Sequence, residues 1–188
     1  MAIPLAANVL ALAIIHPHYL AYFNQVSGGP DRDPPRLIDS NLDWGQDLVG
    51  LQRWLTTNDV KEPIGLAYFG QIPPNLFVLR GEGFPWFVPP VKSGSVKRCT
   101  APNPKMLMGP APTLRPGLYA VSASLVQGLP WRVYDPSMRV WGAAWDLKEY
   151  AFSYFRAWEP IARIGHSILI YRVTQDQADR FNQQAMPR

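Results

Sequence analysis

Apolar and polar residues follow one another along this chain in patterns that distinguish strands from helices. Residues 64–69 form a compact apolar run between a proline and a glycine, which is typical of a buried strand. Residues 46–55 carry apolar side chains at spacings of three and four, which predicts an amphipathic helix. Because a short strand-like segment at residues 36–39 precedes that helix, the pattern predicts a βαβ unit with two parallel strands.

The second half of the chain contains two more strand patterns and one more helical pattern. Residues 117–124 alternate, so that Leu118 and Ala120 are expected to share one face of a sheet. Residues 166–173 form another apolar run of strand length, and residues 147–158 place apolar side chains at helical spacing. The sequence therefore predicts an α/β fold: a single domain with a mixed sheet of four or more strands, a βαβ unit and flanking helices.

The N-terminal part of the chain differs in character from the rest. Residues 2–15 are apolar apart from one asparagine and carry no charge, but a bilayer-spanning helix needs about 20 apolar residues. We interpret this run as the end of a transmembrane or interfacial helix; the alternative is a buried N-terminal helix of a soluble protein. Aromatic residues favoured at a membrane–water boundary follow it: Tyr19, Tyr22 and Phe23. Residues 1–30 are therefore assigned to this segment, and residues 31–174 to the α/β domain.

Proline and basic residues are concentrated between residues 71 and 116. This segment holds ten of the chain's twenty prolines, so neither a helix nor a central strand is expected to run far in it. It also holds six basic residues against one glutamate, within a net charge of +4 for the whole chain. A basic loop of this kind attracts anionic headgroups or phosphates; the alternative is a solvated, variable insertion.

Composition narrows the classes of function further. Only 17% of residues are charged, against about a quarter in a typical soluble domain, which favours a membrane, a partner or further sequence. The single cysteine, Cys99, excludes an intramolecular disulfide and a zinc site made of several sulfur ligands. No nucleic-acid-binding motif accompanies the basic loop, so we expect no nucleic-acid partner. The polar tail at residues 175–188 is expected to form at most a short, weakly anchored surface helix.

Side chains with binding chemistry are concentrated at the turn between the first predicted strand and the first predicted helix. They are three carboxylates, two amides and a tryptophan: Asp39, Asn41, Asp43, Trp44, Gln46 and Asp47. In parallel α/β sheets such turns meet at a crevice, where side chains and helix N–H groups contact ligands. Because carboxylates and amides pair with hydroxyls and an aromatic face covers a sugar ring, we expect a sugar-binding crevice. The alternative is that these groups only cap the helix, as Asp43 could, and tie the loop to the backbone.

Five stretches of the chain resemble a known family: HPHYLAYFNQVSGGP, DSNLDWGQDL, IGLAYFG, PGLYAVSAS and PIARIGHSILIYRV. In this order they resemble bacterial membrane proteins similar to protein mannosyltransferases, glycosyltransferase family 39. The resemblance implies a domain that follows the last transmembrane helix, on the extracytoplasmic side of the inner membrane. It also implies transfer of a sugar from a polyprenyl-phosphate donor.

The same resemblance bears on residues and partners. The family's catalytic carboxylate lies in an early loop of the membrane module, which this chain does not match, so no catalytic residue and no cofactor are assigned. The implied partners are membrane lipid, the membrane-embedded part of the enzyme, and a sugar or lipid-phosphate ligand.

Calcium binding is an alternative interpretation of the acidic turn. Four oxygen-bearing residues stand at relative positions 1, 3, 5 and 9 of an EF-hand-like loop: Asp39, Asn41, Asp43 and Asp47. The pattern then departs from such a loop, because Gly45 falls at position 7 rather than 6 and Gly50 replaces the glutamate that would close the site. A divalent cation is therefore kept as the alternative to a site without metal.

Two further interpretations place the chain in other functional classes. A free-standing hydrolase would need a second carboxylate brought to Asp39 or Asp43 by another strand, and the sequence offers none in a recognisable pattern. A non-catalytic interaction or scaffold domain that packs on the membrane module fits the same sequence and stays open beside the sugar-binding interpretation.

Overall fold

The structure, a computed structural model, describes residues 2–16, 18–19, 43–70, 72, 74, 86–99, 110–135 and 140–185. Its helices are α1 (Ala2–Ile15), α2 (Leu48–Thr57), α3 (Ala123–Val126) and α4 (Gln175–Ala185), with a 3₁₀ helix at Ser153–Ala157. Its strands are β1 (Ile64–Ala67), β2 (Trp86–Phe87), β3 (Val96–Cys99), β4 (Gly117–Ser122), β5 (Trp131–Asp135), β6 (Val140–Leu147), β7 (Ala162–Ile164) and β8 (Ile168–Val173).

Five of the described strands form a mixed sheet in the order β2-β1-β4-β8-β7. Strand β1 is parallel to both β2 and β4, whereas β8 is antiparallel to both β4 and β7. Gly65 pairs with Tyr119 in the centre of this sheet, and a Cβ at Gly65 would collide with the tyrosine ring. The prediction of a mixed sheet of at least four strands in one α/β domain is confirmed.

Alternating side chains of the central strands create a core on each face of this sheet. Leu118 and Ala120 of β4 face α2, together with its buried residues Leu48, Leu51 and Leu55. Burying side chains of this kind contributes roughly 1.5–3 kcal/mol each, so this face alone holds α2 firmly on the sheet. The opposite face packs on an aromatic core that includes Tyr119, Phe152, Tyr154, Phe155 and Tyr171.

The described residues also form a three-stranded antiparallel sheet, in the order β3-β6-β5, that the sequence analysis did not predict. Strand β6 lies in its centre, where Leu147 pairs with both Val96 and Trp131. In the described part of the proline-rich segment the strands are short, and β2 and β3 each lie at the edge of a sheet. That placement agrees with the expectation that no central strand runs far within residues 71–116.

The helix predicted for residues 147–158 is wrong over most of its length. Leu147 is the last residue of β6, and Tyr150 adopts a left-handed backbone conformation, with φ of 62°, that ends any α-helix. The Tyr150 N–H donates to the carbonyl of Gly128 at 3.0 Å, so a distant contact sets the local conformation. Only the 3₁₀ helix remains, in which Tyr154 and Phe155 are buried.

The C-terminal helix is better anchored than its polar sequence suggested. Ala178 is buried, and the ring of Phe181 lies 4.3 Å from that of Tyr154, measured between centroids. Asn182 accepts a hydrogen bond from the N–H of Leu114 and donates one to its carbonyl, both at 2.9 Å. The expectation of weak anchoring for this tail is therefore wrong for the part that forms α4.

The N-terminal apolar run forms α1, which the rest of the described chain covers only in part. Ala11 and Ile15 are buried, whereas Leu10 and Ile14 keep 63% and 64% of their surface exposed. Within the ranges that the structure describes, no helix has the length and apolar character needed to cross a membrane. The predicted strand at residues 36–39 lies outside the described residues, so the βαβ unit stays a prediction.

Candidate functional site

Asp43 lies buried at the start of the turn that leads into α2. One carboxylate oxygen, Oδ1, accepts a hydrogen bond from the N–H of Gly45 at 3.0 Å, and Oδ2 accepts one from the hydroxyl of Ser122 at 2.9 Å. The Ser122 hydroxyl oxygen in turn accepts a hydrogen bond from the N–H of Phe69 at 2.9 Å. The carboxylate therefore connects the turn to the end of β4 and to the segment that follows β1.

The buried position changes the acidity of Asp43. Burial disfavours the charged form and raises the pKa of this carboxyl from 3.8 to about 6, although the hydrogen bonds from Ser122 and Gly45 favour the carboxylate. The negative charge of Asp47 adds a smaller contribution in the same upward direction. Asp43 consequently changes its protonation state in mildly acidic solution rather than near pH 4.

Asp47 occupies the N-cap position of α2, but its side chain does not cap the helix. Its Oδ2 instead accepts hydrogen bonds from the N–H of His166 at 3.2 Å, the N–H of Ser167 at 3.1 Å and the hydroxyl of Ser167 at 2.8 Å. These donors belong to the turn between β7 and β8, so Asp47 fastens that turn to α2. Gly165, with φ of 53°, lies against the carboxylate, where a Cβ would collide with it.

The other oxygen of Asp47 faces the segment that leaves α1. Nδ1 of His18 lies 3.4 Å from Oδ1 of Asp47, and the rings of His18 and His166 meet edge to face with centroids 5.3 Å apart. His18 is partly exposed, whereas Asp47 is buried. The polar cluster therefore reaches from the interior of the domain to the base of the apolar helix.

Tyr68 closes the underside of the turn. Its hydroxyl lies against both Gly45 and Gly70, and a Cβ at either glycine would collide with it. Gly45 also has φ of 98°, a conformation that residues with a side chain rarely adopt. Burial, with a smaller effect of the Asp43 charge, raises the pKa of Tyr68 well above its usual value, so this hydroxyl keeps its proton.

Trp44 and Gln46 point outward from the same turn. Trp44 is 46% exposed, and Oε1 of Gln46 accepts a hydrogen bond from its N–H at 2.9 Å. The turn thus directs its two described acids inward and these two side chains outward. Asp39 and Asn41 lie outside the described residues, so a crevice shared by all six candidates stays a prediction.

The calcium interpretation rests on the same residues. Among the described residues there is no group of three or more His, Cys, Asp or Glu side chains placed to hold a metal ion. Asp43 and Asp47 direct their carboxylate oxygens at protein donors or at His18, and the other two proposed ligands are not described. A divalent cation therefore stays the alternative that the sequence analysis named.

The partners of the two acids were not singled out by sequence reasoning. Ser122 and Ser167 lie 79 and 120 residues from the carboxylates they contact, so no local pattern connects them. The available signal was the presence of polar residues where apolar strands end or begin, in GLYAVSAS and GHSILIYRV. Such hydroxyls are buried only when they find a hydrogen-bond partner.

Fold and site together define a class: a mixed α/β domain with a buried carboxylate cluster that touches the base of an exposed apolar helix. Comparison of the chain with protein-family models, curated proteins and solved structures gave no match.

Proposed function

We propose that this chain is the accessory α/β domain of a membrane glycosyltransferase that uses a polyprenyl-phosphate-linked sugar. The observation that carries the proposal is the exposed apolar surface of α1, to which Val9, Leu10, Leu12 and Ile14 contribute. An uncharged helix with so much apolar surface in water is unfavourable unless lipid or other membrane helices cover it. The family resemblance of the sequence supports the same assignment.

The position of the candidate turn supports a location near the membrane surface. His18 connects the end of α1 to Asp47, so the turn lies close to the point where the helix leaves the domain. Trp44, exposed on this turn, has the amphipathic ring that is favoured at membrane–water boundaries. On this proposal the sugar of a lipid-linked donor meets Trp44 and Gln46, on the extracytoplasmic side of the inner membrane.

Within this proposal the buried acids hold the turn rather than perform chemistry. Asp43 and Asp47 are each 3% exposed, and their hydrogen bonds join β4 and the β7–β8 turn to α2. This arrangement also favours the second candidate function, a scaffold domain that binds no sugar. The two candidates differ in whether the outward side chains of the turn affect transfer.

Sugar transfer in membranes that contain the complete gene product tests the proposal. We expect the double variant Trp44→Ala/Gln46→Ala to lower transfer from a radiolabelled polyprenyl-phosphate sugar at least roughly tenfold, because a lost stacking contact and hydrogen bond together exceed about 1.4 kcal/mol. Gln183→Ala, at an exposed amide on α4, is the control and should leave the rate unchanged.

The outcomes separate the candidates. Unchanged transfer by the double variant, at unchanged protein level, contradicts a sugar-contacting turn and supports the scaffold domain. Absence of transfer in membranes with the unaltered protein contradicts the glycosyltransferase assignment itself.

A further inference from the structure

The 3₁₀ helix and α4 enclose a surface cavity built from elements other than those of the acidic turn. Its volume is about 450 Å³, within the range of roughly 300–1,000 Å³ that is usual for small-molecule sites. Its lining includes three aromatic residues, Tyr154, Trp158 and Phe181, and three polar residues that all belong to α4, Gln177, Arg180 and Gln184. None of these residues belongs to the candidate turn, so the cavity is a separate feature.

The aromatic residues form the base of the cavity, where contacts with one another and with the backbone hold their rings in place. The rings of Tyr154 and Phe181 lie 4.3 Å apart at an angle of 40°, and the ring of Trp158 stands at 78° to that of Tyr154. The Tyr154 hydroxyl donates to the carbonyl of Pro90 at 2.8 Å, which fixes the ring. Trp158 and Phe181 are partly exposed, and both line the cavity.

The polar residues of the rim share one face of α4, because residues three and four positions apart are neighbours on a helix. Oε1 of Gln177 accepts the N–H of Thr174 at 2.8 Å, a bond that does not use the amide nitrogen. Arg180 donates through Nε to the carbonyl of Asp176 at 3.2 Å, a bond that does not use its two terminal nitrogens. Gln184 is exposed and brings both a donor and an acceptor.

We propose that this cavity is a carbohydrate-binding site that takes one pyranose ring of a glycan. A sugar presents an apolar C–H face and a rim of hydroxyls that both donate and accept hydrogen bonds. The rings of Trp158 and Phe181 match the apolar C–H face. The amides of Gln177 and Gln184 and the guanidinium of Arg180 match the hydroxyls. A wholly apolar ligand would make no use of the amide nitrogens and the guanidinium group at the rim, and a phosphate group would meet only one cation among the lining residues.

This inference goes beyond the proposed function, because it concerns a second site and does not depend on α1 or on the acidic turn. Sugar binding at α4 holds whether or not the chain belongs to a glycosyltransferase. An experiment that contradicts one of the two proposals therefore does not contradict the other.

The test is binding of trisaccharides to the full chain, held in a zwitterionic detergent that has no sugar headgroup. Maltotriose, mannotriose and chitotriose are titrated while saturation-transfer NMR and tryptophan fluorescence are recorded. We expect at least one of them to saturate in the millimolar range. Gln184→Ala should then weaken binding several-fold, since one hydrogen bond contributes about 0.5–1.5 kcal/mol, a factor of about 2 to 13.

The neighbouring residue supplies a matched control. Gln183→Ala removes the same group from the same helix at an exposed position that does not line the cavity, and it should leave the affinity unchanged. Trp158→Ala should weaken binding at least roughly tenfold through loss of the ring face. Because the Trp158 ring also contacts Tyr154 and Phe155, the melting temperature of the Trp158→Ala variant is measured together with its sugar affinity.

Two results would overturn the proposal. One is that none of the three trisaccharides saturates. The other is saturation with an affinity that Gln184→Ala and Arg180→Ala leave unchanged, because the sugar would then bind elsewhere.

Discussion

At the scale of single residues, Asp43 and Asp47 hold together parts of the chain that are far apart in sequence. Their carboxylates contact the hydroxyls of Ser122 and Ser167, which themselves are fully buried. Removing one of these side chains would take one hydrogen bond from a buried partner, at a cost of about 1–3 kcal/mol per group left unsatisfied. Gly45 and Gly165 lie in the two turns that these carboxylates hold, and neither position has room for a Cβ.

The acidity of Asp43 predicts a specific dependence of stability on pH. Its pKa is about 6 in the folded chain against an ordinary 3.8, so folding favours the protonated acid. The resulting stabilisation is fully present below pH 3.8 and is lost as the pH rises through about 6. Two pKa units correspond to about 3 kcal/mol in the free energy of unfolding.

Urea unfolding of the unaltered chain and of Asp43→Asn between pH 4 and 7 measures this effect. The amide of the variant does not titrate, so the stability of the unaltered chain relative to the variant should fall by about 2 kcal/mol across that window, because the unfolded acid is already partly ionised at pH 4. Contributions of carboxyl groups that do not interact with Asp43 cancel in the difference. Parallel stability curves would show that burial does not raise the pKa of Asp43.

At the scale of elements, tertiary contacts decide those parts of the fold that local patterns do not. The apolar face of α2, the alternation in β4 and the apolar runs of β1 and β8 could be predicted, because these elements bury their side chains against the cores on the two faces of the sheet. The spacing of apolar residues at 147–158, by contrast, fits an α-helix as well as it fits the strand end and 3₁₀ helix that the structure has there. Leu147 pairs with β3 and β5, and the N–H of Tyr150 donates to the carbonyl of Gly128. These contacts favour the observed strand end and 3₁₀ helix over the α-helix.

The anchoring of α4 is a second contact of this kind, and it can be measured. Asn182→Ala removes the amide that pairs with both backbone groups of Leu114 and should lower the free energy of unfolding by about 1–3 kcal/mol. At roughly 2–4 °C per kcal/mol for a chain of this size, the melting temperature should fall by several degrees.

Gln183→Ala, the exposed neighbour on the same helix, controls for the change in helix propensity. Equal melting temperatures of the two variants would mean that Asn182 does not anchor α4 to Leu114.

At the scale of the whole molecule, a domain with an ordinary hydrophobic core covers its N-terminal helix α1 only in part. The sequence predicted the apolar run, the concentration of acids in the turn and the mixed sheet from local composition and period. It could not predict that Asp47 would link the β7–β8 turn to the base of α1, because that contact depends on three distant segments. The outward direction of Trp44 and the inward direction of Asp43 likewise follow from the packed turn and not from its composition.

Flotation with vesicles of phosphatidylethanolamine and phosphatidylglycerol tests most directly whether α1 attaches the domain to a membrane. The full chain, reconstituted by detergent removal, should float with the lipid. It should stay bound at about 1 M salt, where the Debye length is only about 3 Å and charge attraction is screened. Leu10→Asp/Ile14→Asp should lose at least roughly tenfold in bound fraction, because aspartate costs about 2.5–3.5 kcal/mol at the centre of a membrane helix.

The control, Val49→Asp/Ile161→Asp, adds the same charge at two exposed apolar residues outside α1 and should float like the unaltered chain. If the unaltered chain stays with the unbound protein, or if the α1 variant floats as well as the control, α1 does not attach this domain to a membrane.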